Sequence, residues 1–193
     1  MGPDFSEAPS GVPAGERLNV YALVIYIPDP LGRFLDDLRL ELFPRCNPHA
    51  HVSVLPPRPL VEEWRTAREQ VRGLIEAQAP FDVELESMRI FPVTNVIYIE
   101  VGAGASQLHY LHDSINRGAL EFEEPFVYHP HITVAQEIPP EAAEAVHELA
   151  QRRWREFRGP RVFRAERAAF VQNTLRNGWV DLAEFALGAV AVR

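Results

Sequence analysis

An internal duplication limits the folds open to this chain more than any other feature. Runs of β-branched and aromatic residues that end at proline or glycine predict strands, and apolar residues three or four apart predict amphipathic helices. The first copy reads strand 20–27, helix 31–43, strand 51–55, helix 60–77 and strand 81–91. The second reads strand 96–101, helix 106–120, strand 131–135, helix 140–157 and strand 162–171, before a turn at Asn177-Gly178 and a last strand 179–187. Two β-α-β-α-β units of this length predict two lobes rather than a solenoid.

The two lobes are expected to form one α+β domain over residues 18–193, with the first lobe at about 18–92 and the second at about 93–188. The chain has 193 residues, which is enough for one such domain with a sizeable core. Residues 1–17 are rich in proline, glycine, alanine and serine and show no apolar period. That composition predicts a disordered tail.

Composition places the chain among ordinary globular proteins, with 47% hydrophobic and 24% charged residues. No stretch reaches the roughly 20 apolar residues that a membrane helix requires, and the N-terminal residues lack the pattern of a secretory signal. Cys46 is the single cysteine, which excludes an intrachain disulfide and a cysteine-based zinc site and fits a reducing compartment. We therefore expect a cytoplasmic protein with no membrane partner, and we expect it to be a monomer.

The net charge of −8 is unevenly distributed. Seven arginines and two glutamates lie between Arg152 and Arg167, which gives this segment a charge of +5 and leaves −13 on the rest of the chain. Such an acidic chain binds long duplex nucleic acid poorly, because phosphate neutralisation dominates that affinity. The arginine segment either holds a short or terminal phosphate or is a solvated surface.

The third element of each unit carries the same short pattern. The first copy is HVSV, beginning at His51, and the second is HITV, beginning at His131, 80 residues later. Side chains alternate between the two faces of a strand, so His51 and Ser53 share one face, as do His131 and Thr133. Packing of the two lobes about a pseudo-twofold axis would bring both pairs into one cleft.

Two imidazoles and two hydroxyls suit phosphodiester chemistry without a metal. One neutral imidazole takes a proton from water or an alcohol, and the opposite imidazolium gives a proton to the leaving oxygen. The hydroxyls donate hydrogen bonds to the phosphate oxygens and orient the group. We therefore interpret His51 and His131 as a catalytic acid–base pair, and Ser53 and Thr133 as substrate-binding residues.

These paired motifs in duplicated units resemble those of the two-histidine (2H) phosphoesterase superfamily, which includes bacterial 2'-5' RNA ligases and cyclic nucleotide phosphodiesterases. The resemblance spans residues 18–188. It implies a bilobal α+β fold whose antiparallel sheets line a central cleft, and activity on 2',3'-cyclic or 2'-5' linked phosphodiesters of nucleotides or RNA ends, without a metal or other cofactor. By the same resemblance, His51 and His131 are the acid–base pair, and Ser53 stands where threonine is commoner.

Other functions remain open at this stage. His49 and His129 lie two residues before the motif histidines, so four imidazoles could converge on a transition metal in a metal-dependent hydrolase. Against this, Pro48 and Pro130 disturb the strand geometry there. Alternatively, the site binds a nucleotide or RNA end without turnover.

The sequence gives few indications of which residues contact the substrate beyond its phosphate. Arg58 follows the first motif and could reach a phosphate, and four aromatic residues could stack on a base: Tyr26, Tyr98, Tyr128 and Phe126. Each could equally be a packing or surface residue. His109 and His112 are expected on an exposed helix face.

Overall fold

The computed structural model describes residues 16–188. Its eight strands are β1 Arg17–Tyr26, β2 His51–Arg58, β3 Phe81–Ile90, β4 Ile97–Val101, β5 His131–Ala135, β6 Val162–Ala165, β7 Arg167–Thr174 and β8 Trp179–Ala186. Its four α-helices are α1 Leu31–Leu42, α2 Trp64–Ala77, α3 Ala105–Ile115 and α4 Ala143–Glu156, and short 3-10 helices span Gly118–Leu120 and Pro140–Ala142. The predicted tail lies outside the described residues except at its end, where Arg17 begins β1.

The predicted order of strands and helices is confirmed, with two differences. Strand β2 continues through Pro56 and Pro57 to Arg58 instead of ending before them. It lies at the edge of its sheet, where a proline removes no hydrogen bond that a neighbour needs. The predicted strand 162–171 divides at Glu166, because β6 and β7 belong to different sheets.

Two four-stranded antiparallel sheets form the fold, as the resemblance implies. The first sheet has the order β2-β1-β7-β8, and the second has the order β5-β4-β3-β6. The strands do not divide between the sheets at the predicted lobe boundary near residue 92. Strand β3 pairs with β4 through a short connection and so joins the second sheet, while β7 and β8 complete the first.

The helices, too, do not all pack on strands from their own half of the chain. Helices α2 and α3 pack on the first sheet, whereas α1 packs on β5 and α4 on β3 in the second sheet. Their buried faces and the inner faces of both sheets form one main core, which includes Leu23, Leu35, Ile75 and Ile99. Because helices from one half of the chain pack on strands of the other half, this packing fixes the two sheets relative to each other. No helix within residues 16–188 combines the length and the apolar character needed to cross a membrane.

The two motif strands meet at the centre of the fold. Strand β2 is the edge of the first sheet and β5 is the edge of the second, and the two edges lie against each other. The Tyr128 hydroxyl, close before β5 in the chain, donates a hydrogen bond of 2.8 Å to the Ser53 carbonyl of β2. The topology thus brings together two segments that are 80 residues apart in the sequence.

Candidate active site

All four motif side chains line one cleft with a volume of about 1150 Å³. His51 and Ser53 enter it from β2, and His131 and Thr133 enter it from β5. The predicted alternation explains this placement, since the valines and the isoleucine between them are at most 1% exposed in the core. The structure therefore brings the four motif residues together, as the sequence predicted.

The two motif histidines are held in the same way. The carbonyl of His49 lies 2.6 Å from Nδ1 of His51, and the carbonyl of His129 lies 2.6 Å from Nδ1 of His131. A carbonyl oxygen only accepts a hydrogen bond, so each Nδ1 carries the proton and donates it. This contact fixes the tautomer and leaves both Nε2 atoms available for proton transfer.

Burial makes both imidazoles less basic than in water. It lowers the pKa of His51 to about 4, because desolvation penalises the charged ring more than the hydrogen bond to the His49 carbonyl favours it. The nearby charges of Arg39, His49 and His131 lower the pKa of His51 further. Burial also lowers the pKa of His131, and the charge of His129 lowers it further.

The two additional histidines do not join the motif histidines in a metal site. The ring of His49 stacks on Tyr26 with a centroid distance of 3.6 Å and an interplanar angle of 6°. The ring of His129 packs perpendicular to the rings of Phe91 and Tyr98. Among the described residues, no three histidine, cysteine or carboxylate side chains are grouped so that they could hold a metal ion. His49 and His129 both line the cleft, and the ring of each packs against aromatic side chains.

Arg39 is a site residue that sequence reasoning missed. It projects from α1 into the cleft, and its Nη1 donates a 2.6 Å hydrogen bond to the carbonyl of Thr133. Its Nε atom is buried and has no hydrogen-bond partner among residues 16–188. Helix α1 carries four other charged residues, so the position of Arg39 in the sequence gave no signal. Only the packing of α1 on the second sheet brings this cation to the site.

Arg58 is not available to a substrate phosphate, contrary to the expectation from the sequence. It is 1% exposed, and its guanidinium forms an ion pair with Glu124 and donates 2.7 Å and 3.1 Å hydrogen bonds to Asn116 and to the Leu120 carbonyl. His112 is also buried, where an exposed residue was expected, and its Nε2 lies 2.9 Å from the same Glu124 carboxylate.

This buried polar network supports the wall of the cleft. The ring of His112 stacks on Tyr128 with a centroid distance of 4.0 Å. Tyr128 in turn holds the Ser53 carbonyl, so it is a packing residue and its ring is not free to stack on a base. The network therefore links the first motif to the segment that leads into the second.

The arginine segment lies away from the cleft. Arg153 on α4 pairs with Glu41 and Glu156, Arg164 on β6 pairs with Asp82, and Arg167 on β7 pairs with Glu184. None of these three arginines lines the cleft. The solvated-surface interpretation therefore fits them better than a phosphate site.

Comparison with known proteins supports the assignment made from the motifs. A model of the 2'-5' RNA ligase superfamily matches residues 27–177, which is most of the chain. A candidate phosphoesterase of Bacillus cytotoxicus is 27% identical over 133 residues, covering 65% of this chain and 76% of the relative. A candidate phosphoesterase of Oceanobacillus iheyensis is 32% identical over 71 residues, which cover 36% of this chain and 41% of the relative's length.

Solved structures share the fold over nearly their whole length. E. coli LigT complexed with NADP+ has a TM-score of 0.62 at 16% identity and aligns over 90% of this chain and 98% of its own. Kluyveromyces marxianus Usb1 with uridine monophosphate has a TM-score of 0.54 at 12% identity and aligns over 85% of this chain and 97% of its own. From the family match across most of its length, the chain belongs to the 2'-5' RNA ligase superfamily, the phosphoesterase family that its paired histidine motifs resemble.

Proposed function

We propose that this protein is a metal-independent phosphoesterase that hydrolyses 2',3'-cyclic or 2'-5' linked phosphodiesters of nucleotides or RNA ends by acid–base catalysis between His51 and His131. The observation that carries the proposal is the matched pair of imidazoles. Each is fixed by its Nδ1–H in the same tautomer, and each lines the same cleft beside a hydroxyl. The LigT and Usb1 structures hold nucleotides, which supports a nucleotide-sized substrate for a cleft of this volume.

We assign the roles of the two histidines from their burial and mutual repulsion. Desolvation lowers the pKa of His51 to about 4, and a positive charge on His131 lowers it further, so we assign the neutral base to His51 and the proton to His131. In hydrolysis, Nε2 of neutral His51 takes a proton from water as the water oxygen bonds to phosphorus. Nε2–H of His131 gives its proton to the ribose oxygen as the phosphorus–oxygen bond breaks. The product is a phosphomonoester.

The two hydroxyls are expected to bind the non-bridging phosphate oxygens. Replacing Ser53 with alanine, or Thr133 with valine, removes one donor and is expected to lower kcat/KM about 10²-fold. Steady-state kinetics on one cyclic nucleotide measures this loss. The Ser53→Thr variant keeps the hydroxyl and is the matched control, expected to stay within about threefold of wild type. Full activity in Ser53→Ala would show that the hydroxyl does not contact the phosphate.

A substrate panel tests the proposed function directly. The wild-type protein is incubated in EDTA with the four 2',3'-cyclic nucleotides and with a 2'-5' linked dinucleotide, and products are separated by chromatography. Product formation in EDTA is expected. If folded protein binds these compounds but forms no product, the cleft belongs to a binding module. If product forms only without EDTA, the chemistry depends on a metal and the proposal is wrong.

A further inference from the structure

The first sheet has a second, separate apolar cluster on the face that turns toward the cleft. Ala22, Val24, Ala169 and Val171 pack together there, with Tyr26 beside them, apart from the main core. Their positions on β1 and β7 alternate with core residues such as Leu23 and Phe170. Because these side chains are small, they leave a flat floor beside the catalytic pair instead of filling the cleft.

The strand register places Asp181 at the far side of this floor. Tyr26 pairs with His51 across β1 and β2, and Val171 pairs with Asp181 across β7 and β8. Strand β8 lies three strand spacings from β2, about 14 Å. The side chain of Tyr26 crosses part of this gap, and its hydroxyl donates a 2.6 Å hydrogen bond to Oδ1 of Asp181. A nucleotide whose phosphate lies at His51 would extend its base along the floor toward Asp181.

The Asp181 carboxylate has unused capacity as an acceptor. It is exposed in the cleft, and Tyr26 occupies only one of the roughly four lone-pair directions that a carboxylate offers. Two oxygens side by side accept best from two adjacent donors. The indole of Trp179, 37% exposed on the same strand, also lines the cleft and offers a face for stacking.

Only one of the four common RNA bases presents two adjacent donors. Guanine offers N1–H and the N2 amino group on its pairing edge. Adenine and cytosine place a ring-nitrogen acceptor beside their amino group, and uracil places carbonyls on both sides of N3–H, so each turns an acceptor toward a carboxylate oxygen. The carboxylate therefore discriminates among bases even though stacking does not.

We propose that Trp179, Asp181 and the small-residue floor form a base-binding subsite that selects guanine next to the cleaved phosphate. This inference rests on the proposed function for its link to catalysis, and it names the substrate class of that site. Tyr26 is a positioning residue here, because its hydroxyl holds the carboxylate in place.

A comparison of kcat/KM for the four 2',3'-cyclic nucleotides in the wild type and in Asp181→Asn tests the subsite. Wild type is expected to prefer the guanosine substrate by about 10-fold or more. Asparagine offers one acceptor and one donor, a pair that every base can match on its pairing edge, so Asp181→Asn should reduce the guanosine preference to within about threefold. Glu184→Gln is the matched control, because it removes a carboxylate from the same strand that pairs with Arg167 outside the cleft. It should keep the wild-type order.

Binding separates failure of the subsite from failure of the proposed function. Titration calorimetry with the four nucleoside 3'-monophosphates should show the same order of affinity, whether or not the protein turns over a cyclic substrate. Trp179→Ala should weaken all four by about 10-fold, and Trp179→Phe should restore most of this loss. An undiminished guanine preference in Asp181→Asn, equal wild-type affinity for the four bases, or no binding of any would overturn the subsite. Activity on cyclic nucleotides with no base preference would overturn the subsite alone.

Discussion

Replacing either His51 or His131 with alanine is expected to lower kcat by at least about 10³-fold on a cyclic nucleotide. Each Nε2 is one end of the proton transfer, and no other imidazole is placed to substitute for it, since His49 is stacked on Tyr26 and His129 is packed against Phe91 and Tyr98. The measurement is the initial rate at saturating substrate, with circular dichroism to verify folding.

The double variant adds a test of joint action. Because the two histidines work as a unit, removal of both should cost little more than removal of one. His147→Ala is a suitable control, since His147 lies on α4, contacts the Met88 carbonyl and does not line the cleft, and its activity should match that of wild type. Activity within about 10-fold of wild type in either single variant would contradict the acid–base assignment.

Replacing Arg58 with methionine is expected to lower the free energy of unfolding by about 3–5 kcal/mol. The change keeps the length of the side chain but removes the cation from a site that is 1% exposed. It leaves Glu124, whose side chain is 11% exposed, without its guanidinium partner, and it leaves the acceptors at Asn116 and Leu120 without their donor. Urea denaturation monitored by fluorescence measures the loss.

Two further variants identify the cause of this loss. The Arg58→Met/Glu124→Met double variant removes both charges and should regain part of the stability, since no buried carboxylate is left unpaired. Arg164→Met breaks an exposed pair with Asp82, whose side chains are 51% and 63% exposed, and should cost less than about 1 kcal/mol. A loss in Arg58→Met no greater than that in Arg164→Met would show that the network does not stabilise the fold.

Local pattern predicted the motif strands and their faces. Each motif has two small apolar residues that alternate with a histidine and a hydroxyl, and a strand can satisfy that pattern in only one orientation. The order of strands and helices was readable for the same reason. The pairing partners of each strand could not be predicted from the sequence. Strand β3, for example, has an apolar face that either sheet could bury. The short connection to β4 decides its pairing, so β3 joins the second sheet although the sequence placed it in the first lobe.

The supporting residues could not be read from the chain because long-range packing creates them. Arg39 and Thr133 are 94 residues apart in the sequence, and Tyr26 and Asp181 are 155 apart. His112 has the spacing of an exposed helix residue, but the fold places the Tyr128 ring and the Glu124 carboxylate against it. A polar residue on a predicted helix or strand therefore gives no sign of the partner that the fold supplies.

The most direct test of the central claim is the pH dependence of kcat/KM in EDTA. The acid limb should follow loss of the base at the pKa of His51, about 4, and the alkaline limb should follow loss of the acid at the pKa of His131, which burial lowers from 6.5. The account predicts a bell-shaped curve with its maximum between those values. The profile of kcat should lie at higher pH, because the bound phosphate anion favours protonated imidazole. A flat profile between about pH 4 and pH 8 would contradict a mechanism in which two histidines exchange protons.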